Sequence, residues 1–275
     1  MNNHPFKQIL LATEHTEFDL GAERLAFAMA NRCGMPLRVI IPVLSNPEFE
    51  AQAPELSLRA DEEIARKISD LQQQADATNV QLDIHVRHGS QADEEIVADA
   101  KSSHTDLIII RRRGNPSFLA NMLVGEMVSR VIRDAPCSVL MVPRAAVFWS
   151  HQILAAVGDD AAAPKITELA AVIAKQCDLP LTIASIANNT NTQIQMGNLN
   201  AQNVARASAR CKNVKGRVLI GHPVEQTVTL AQEIAADLLI IGRQRYSLIP
   251  FVHGSNSIMH KIAGAMILPT LVVHH

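Results

Sequence analysis

One run of residues is written twice in this chain. Asp106-Leu107-Ile108-Ile109-Ile110 returns as Asp237-Leu238-Leu239-Ile240-Ile241. The same offset carries Leu140-Met141-Val142 onto Leu271-Val272-Val273. An offset held across two separate apolar runs marks a duplicated domain. The length agrees, since 275 residues at about 150 per domain gives two. The expected domains are 1–146 and 150–275, with the change near 146–150.

Within each copy, short apolar runs alternate with longer stretches of helical period. In the first copy, strands are predicted over 9–12, 37–43, 80–86, 107–110 and 139–142, with Pro42 read as the end of the second. Helical stripes lie between them: Phe18, Ala22, Leu25 and Met29; Ile64, Ile68, Leu71 and Ala75; residues 92–102; and a helix after Gly125. His88-Gly89-Ser90 supplies turn chemistry after the third strand. In the second copy, strands are predicted over 153–157, 181–186, 218–220, 238–241 and 271–273. The stripe Ile166, Leu169, Ala170, Ile173 and Cys177 forms a helix there. The Asn-, Gln- and Thr-rich segment 188–203 reads as a loop leading into a shortened helix. That would leave one sheet face thinly covered and open to a partner or a small ligand. The β-α alternation implies an α/β fold: two similar doubly wound domains, each a parallel sheet flanked by helices.

Several function classes are disfavoured. A net charge of −2 gives no basic field for nucleic acid. Aromatic residues at 3% provide no stacking platform for single strands. No apolar run approaches the roughly 20 residues of a membrane helix. The start, Met1-Asn2-Asn3-His4-Pro5, lacks a signal-peptide profile. Cys33, Cys137, Cys177 and Cys211 are scattered, as in a reducing compartment. The expectation is a cytoplasmic protein without nucleic-acid or membrane partners. No Gly-x-x-x-x-Gly-Lys-Ser/Thr loop and no Gly-x-Ser-x-Gly elbow is present. His85 and His88 fall on opposite faces of a strand, and His274-His275 is a terminal pair, so no metal site is expected. Asp61-Glu62-Glu63 and Asp93-Glu94-Glu95 sit in first helical turns, where the helix dipole favours them.

These residues taken together resemble the universal stress protein family, in tandem. The resemblance rests on Ile9-Leu10-Leu11-Ala12-Thr13-Glu14, the strand-to-Gly turn at Gly89, the Asp-Leu-Ile-Ile-Ile strand, the Gly-bearing loop after it, and Asp134-Ala135-Pro136-Cys137-Ser138-Val139-Leu140-Met141-Val142. It implies five parallel strands per domain and a pairing of domains through fifth strands or neighbouring helices, so that a tandem chain is a built-in dimer. A homodimer of chains is a further expectation. Many members bind ATP through a loop of Gly, two residues, Gly, nine residues, then Gly with Ser or Thr. Glycines let backbone N–H groups reach phosphate oxygens at a helix start. An acid after the first strand would meet ribose or magnesium.

Both copies depart from that loop. The first reads Arg111-Arg112-Arg113-Gly114, ten residues, then Gly125-Glu126. A carboxylate in a phosphate position repels phosphate, so Glu126 paired with an arginine is expected to fill the anion position. A solvated arginine loop is the bland reading. Thr13, Glu14, Val43, Gly114 and Gly125 are the corresponding first-domain candidates. The second copy keeps Gly242 but places Arg245 at the second glycine, with Gly254-Ser255 following after eight residues. Ser255, Asn256 and Ser257 all suit a helix cap, so the register stays open. With Asp159, which follows Gly158 after the first strand, these form the second-domain nucleotide candidates. The expected function is a non-enzymatic stress-response protein working through protein partners. The alternatives are an ATP-binding switch, with ATP and Mg in the second domain, or a slow nucleotide hydrolase.

Overall fold

A computed structural model describes residues 4–14, 16–44, 54–112, 125–159, 161–243, 261–262 and 265–274. The chain divides into two compact units. The first comprises Phe6–Arg112 with Glu126–Val147, and the second is centred on Phe148–His275.

The first unit runs β1 (Ile9–Ala12), α1 (Leu20–Cys33), β2 (Leu37–Leu44), α2 (Pro54–Thr78), β3 (Leu82–Gly89), α3 (Ala92–Ser102), β4 (Leu107–Arg111), α4 (Glu126–Asp134) and β5 (Ser138–Val142). Its strands pair in the order β3-β2-β1-β4-β5, all parallel. The second unit runs β6 (Ile153–Ala156), α5 (Ala163–Cys177), β7 (Leu181–Ala187), α6 (Thr190–Ser208), β8 (Val214–Ile220), α7 (Pro223–Glu233), β9 (Leu238–Gly242) and β10 (Thr270–Val273). Its order, β8-β7-β6-β9-β10, is the same pattern, again parallel. The registers agree too. Ile9 lies opposite Leu107 as Ile153 lies opposite Leu238.

The inner residues of these strands are apolar, as expected of parallel strands packed on both faces. Every residue of β1, β4, β5 and β10 is buried. Helix ends use local chemistry. Gly34 ends α1 in the left-handed region at φ 59°, its N–H reaching back to Ala30 and Asn31 carbonyls. Asp178 takes the same conformation after α5 at φ 54°.

The structure corrects several sequence expectations, among them the turn read at His88-Gly89, which lies inside β3. Pro42 does not end β2, which continues to Leu44. Ile40 presents its carbonyl to the Thr13 N–H on the β1 side. Two residues on, the missing N–H of Pro42 therefore faces the side where β1 has already ended, and no ladder bond is lost. Phe18 does not join the buried stripe of α1. It lies in a 3-10 turn, 52% exposed, with the Arg144 guanidinium carbon 5.6 Å from its ring centre. The segment 188–203 is not a loop with a shortened helix, for α6 is 19 residues long. Asn189 caps it, accepting the Thr192 N–H at 3.2 Å. Asn200 is buried in its middle, its amide donating to the Ile183 carbonyl at 2.9 Å and the Ser185 hydroxyl at 3.1 Å. Of the polar residues that suggested a loop, Asn189 caps the helix and Asn200 bonds it to the sheet. The helix packs on β7 and β8, although β8 itself stays largely exposed.

Candidate ligand site

In open parallel sheets, ligands bind beyond the carboxyl ends of the strands, where strand order reverses. In the second unit that point lies between β6 and β9, and a cavity of about 250 Å³ occupies it. The ends of three strands form its floor: Ala156 to Asp159 after β6, Ile186 to Asn188 after β7, and Ile241 with Gly242 at the end of β9. Helix α6 presents Thr192, Gln195 and Met196, three residues on one face by helical spacing. Ile166, Pro223, Thr227 and Ile262 complete the wall. Among the described lining residues, Asp159 is the single ionisable group.

Gly242 shapes this cavity by having no side chain. A Cβ there would lie 2.6 Å from Cδ1 of Ile166, which would have to move aside.

At the corresponding strand end of the first unit stands a buried charged side chain. Arg111 ends β4 and is 2% exposed. Its guanidinium pairs with the Glu14 carboxylate, donates to the Thr16 hydroxyl at 2.5 Å, and lies 3.5 Å from Oδ1 of Asp19. Asp19 is fully buried, and its Oδ2 accepts from the Glu14 and Thr16 N–H groups at 3.1 Å each. Beside this lies a second buried cluster. Thr13 donates to Oε1 of Glu23 at 2.6 Å, and Lys67 pairs with the same oxygen. Burial pushes the Arg112 guanidinium below its usual pKa.

The sequence-predicted residues are thus distributed as follows. Asp159 and Gly242 share the second-unit cavity. Glu14 and Thr13 belong to the two buried clusters of the first unit. Val43 is half-buried in β2, opposite His88, and Gly125 is half-buried before α4. Gly114, Arg245, Gly254, Ser255, Asn256 and Ser257 lie outside the described residues. Glu126 does not fill an anion position. It is exposed and pairs with Arg130, one turn along α4, at 2.9 Å. The acids that hold Arg111 are Glu14 and Asp19, contributed by the segment after β1. Sequence reasoning missed Thr192, Gln195 and Met196, although their helical spacing within segment 188–203 was the available signal. Among the described residues, no group of three or more His, Cys, Asp or Glu is placed to hold a metal, and no helix is long and apolar enough to cross a membrane.

Comparison with known proteins gives a consistent answer. The model of the universal stress protein family matches residues 5–143. Universal stress protein Slr1230 of Synechocystis sp. is 24% identical over 94% of each chain. A universal stress protein structure from Archaeoglobus fulgidus superposes with a TM-score of 0.76 at 17% identity, covering 97% of each chain. A functionally unknown protein from Pseudomonas aeruginosa superposes at 0.69 with 17% identity, covering 98% of this chain and 92% of its own.

Proposed function

The chain belongs to the universal stress protein family, and from that premise we propose that it acts by binding rather than by turnover, with its ligand position in the second unit. Membership supports a role in the stress response. The observation that carries the proposal is the cavity beyond β6, β7 and β9, set where a doubly wound sheet receives its ligand.

The lining suits an adenine nucleotide. Ile186, Met196 and Ile241 offer apolar walls for a base, and the Asp159 carboxylate can accept ribose hydroxyls or meet a magnesium ion carried by the phosphates. At about 250 Å³, the cavity is just under the roughly 300 Å³ at which small-ligand pockets begin. It would enclose the nucleoside end and leave the phosphates outside. Catalysis is not part of the proposal. Acid–base or nucleophilic chemistry calls for a positioned pair of groups; the described lining offers one ionisable group, Asp159, and two threonine hydroxyls that donate to the Asn189 and Pro223 carbonyls. Occupancy of the second unit would then set which cytoplasmic protein partner, or second copy of this chain, is engaged.

The test is competition with fluorescent ATP on the wild type and on Gly242→Arg, with a melting curve on each to establish folding. Micromolar binding in the wild type, lost in a folded Gly242→Arg, is the expected result. A folded wild type that binds nothing at millimolar ATP refutes the nucleotide reading. Steady release of ADP or AMP would refute the non-enzymatic one.

A further inference from the structure

Arg111 and Gly242 hold the same place in two copies of one fold. Each is the fifth residue of its strand, and each strand begins opposite the first residue of its unit's opening strand. In the second unit this residue has no side chain and a cavity lies over it. In the first it carries a long cationic side chain that is 3% exposed.

The surroundings of that cation are built for it. Asp19 is held by the backbone of its own turn before it meets the guanidinium, because Oδ2 accepts the Glu14 and Thr16 N–H groups and the Thr16 hydroxyl at 2.9 Å. The Thr16 hydroxyl, having given its proton to Asp19, is free to accept from Arg111. Glu14 completes the ring from the end of β1. A solvated arginine would have none of this. A buried guanidinium without such partners would be expelled from the fold.

We propose that Arg111 is the built-in occupant of the first unit's ligand position. Its guanidinium takes the space that the second unit keeps open, so the first unit accepts no small molecule there and the chain has one ligand-accepting unit. This goes beyond the functional reading above and stands whether or not the second cavity takes a nucleotide. It also defines what the emptied position would accept. Two carboxylates and a hydroxyl, arranged around a planar cation, should take free guanidinium and reject an anion.

The experiment is thermal melting of the full chain and of Arg111→Gly, with guanidinium chloride raised through the low millimolar range against equal sodium chloride. The variant should melt below the wild type. Guanidinium should then raise its melting temperature saturably, by about 3 °C at ten times the dissociation constant, while leaving the wild type unraised. A variant that melts with the wild type, or one whose response to guanidinium matches the wild type's, overturns the proposal. Where Arg111→Gly fails to fold, the wild type itself gives the answer through arginine-selective dicarbonyl labelling and mass spectrometry. Arg111 should remain unlabelled after the exposed Arg59 and Arg206 have reacted. Labelling of Arg111 at their rate overturns the proposal equally.

Discussion

The repeated Asp before β4 and β9 makes a quantitative prediction with its own internal control. Asp237 ties the start of β9 to the segment entering β6. Its Oδ2 accepts the Ser150 and His151 N–H groups at 2.6 and 2.8 Å, and its Oδ1 accepts that of Gln152 at 3.0 Å. Asp106 does the same with two bonds, from Lys7 at 2.7 Å and Gln8 at 3.1 Å. A hydrogen bond to a charged group contributes about 1.5–3 kcal/mol when well buried. These bonds lie near the surface, where water competes, so about 1 kcal/mol each is the appropriate scale. Asp237→Ala should therefore cost about 3 kcal/mol and Asp106→Ala about 2. Asp237→Asn keeps an acceptor for Gln152 but turns an amide N–H₂ toward Ser150 and His151, so it should cost about 2 kcal/mol. Urea unfolding followed by far-UV circular dichroism and by fluorescence reads these losses. Trp149 is the chain's one tryptophan and is buried beside Ser150, so its emission follows the entry to β6. An Asp106→Ala loss equal to or larger than that of Asp237→Ala would refute the bond-counting argument.

Three further outcomes follow from the packing. Gly21→Ala should lower soluble yield and cost more than about 2 kcal/mol, since a Cβ there would lie 2.2 Å from the Pro143 carbonyl oxygen and 2.8 Å from that of Arg144, both backbone atoms; an unchanged melting temperature would contradict the close approach. Lys67→Met should cost about 3 kcal/mol by leaving Glu23 buried with the Thr13 hydroxyl alone, and Glu23→Leu/Lys67→Met should recover more than half of it; a double variant as unstable as the single one would count against the pair. Burial pushes the Cys211 thiol above its usual pKa, which disfavours its thiolate, and Cys211 is also the less accessible thiol, so iodoacetamide should label the half-buried Cys33 several-fold faster, as read by peptide mass spectrometry.

Much of this fold is legible in the chain because its signals are strong and local. The strands at 107–110 and 238–241 are continuous apolar runs, and both emerge as central strands buried on two faces. The helix at 92–102 has the expected bounds. What escaped was decided by partners distant in sequence. Nothing near Asn200 says that Ile183 and Ser185 await its amide, so a polar, loop-like composition prevailed over a helix that tertiary bonds complete. Pro42 is harmless because β1 stops short of it, which β2 alone does not disclose. The departure of Arg111 from the glycine pattern was visible, but its partners were sought in Glu126, close along the loop, and they are Glu14 and Asp19, brought up by the β1–β4 pairing. Asp159 and Gly242, singled out from the family's loop pattern, do line one cavity. The wall from α6 was hidden along with the helix itself.

The two units show which charges the fold requires and which it merely accommodates. Where the first has Glu14 and Arg111, the second has Gly158 and Gly242, and where the first has Thr13 and Glu23, the second has Val157 and Thr167. Strand order and register are unchanged, so neither buried charge cluster specifies the architecture. Yet acid and base differ together. Removing one member of a buried pair costs about 3–5 kcal/mol because the other charge is stranded, whereas losing both is close to neutral. The glycines at 158 and 242 are therefore one change in physical terms. The Thr167 hydroxyl, buried without a hydrogen-bond partner, is what remains of polarity on that helix face. The same reasoning governs any attempt to close the second cavity. Arg at 242 without an acid at 158 brings a guanidinium into a lining whose described charge is Asp159 alone, and an acid added at 158 would supply one of the two carboxylates that hold Arg111 in the first unit.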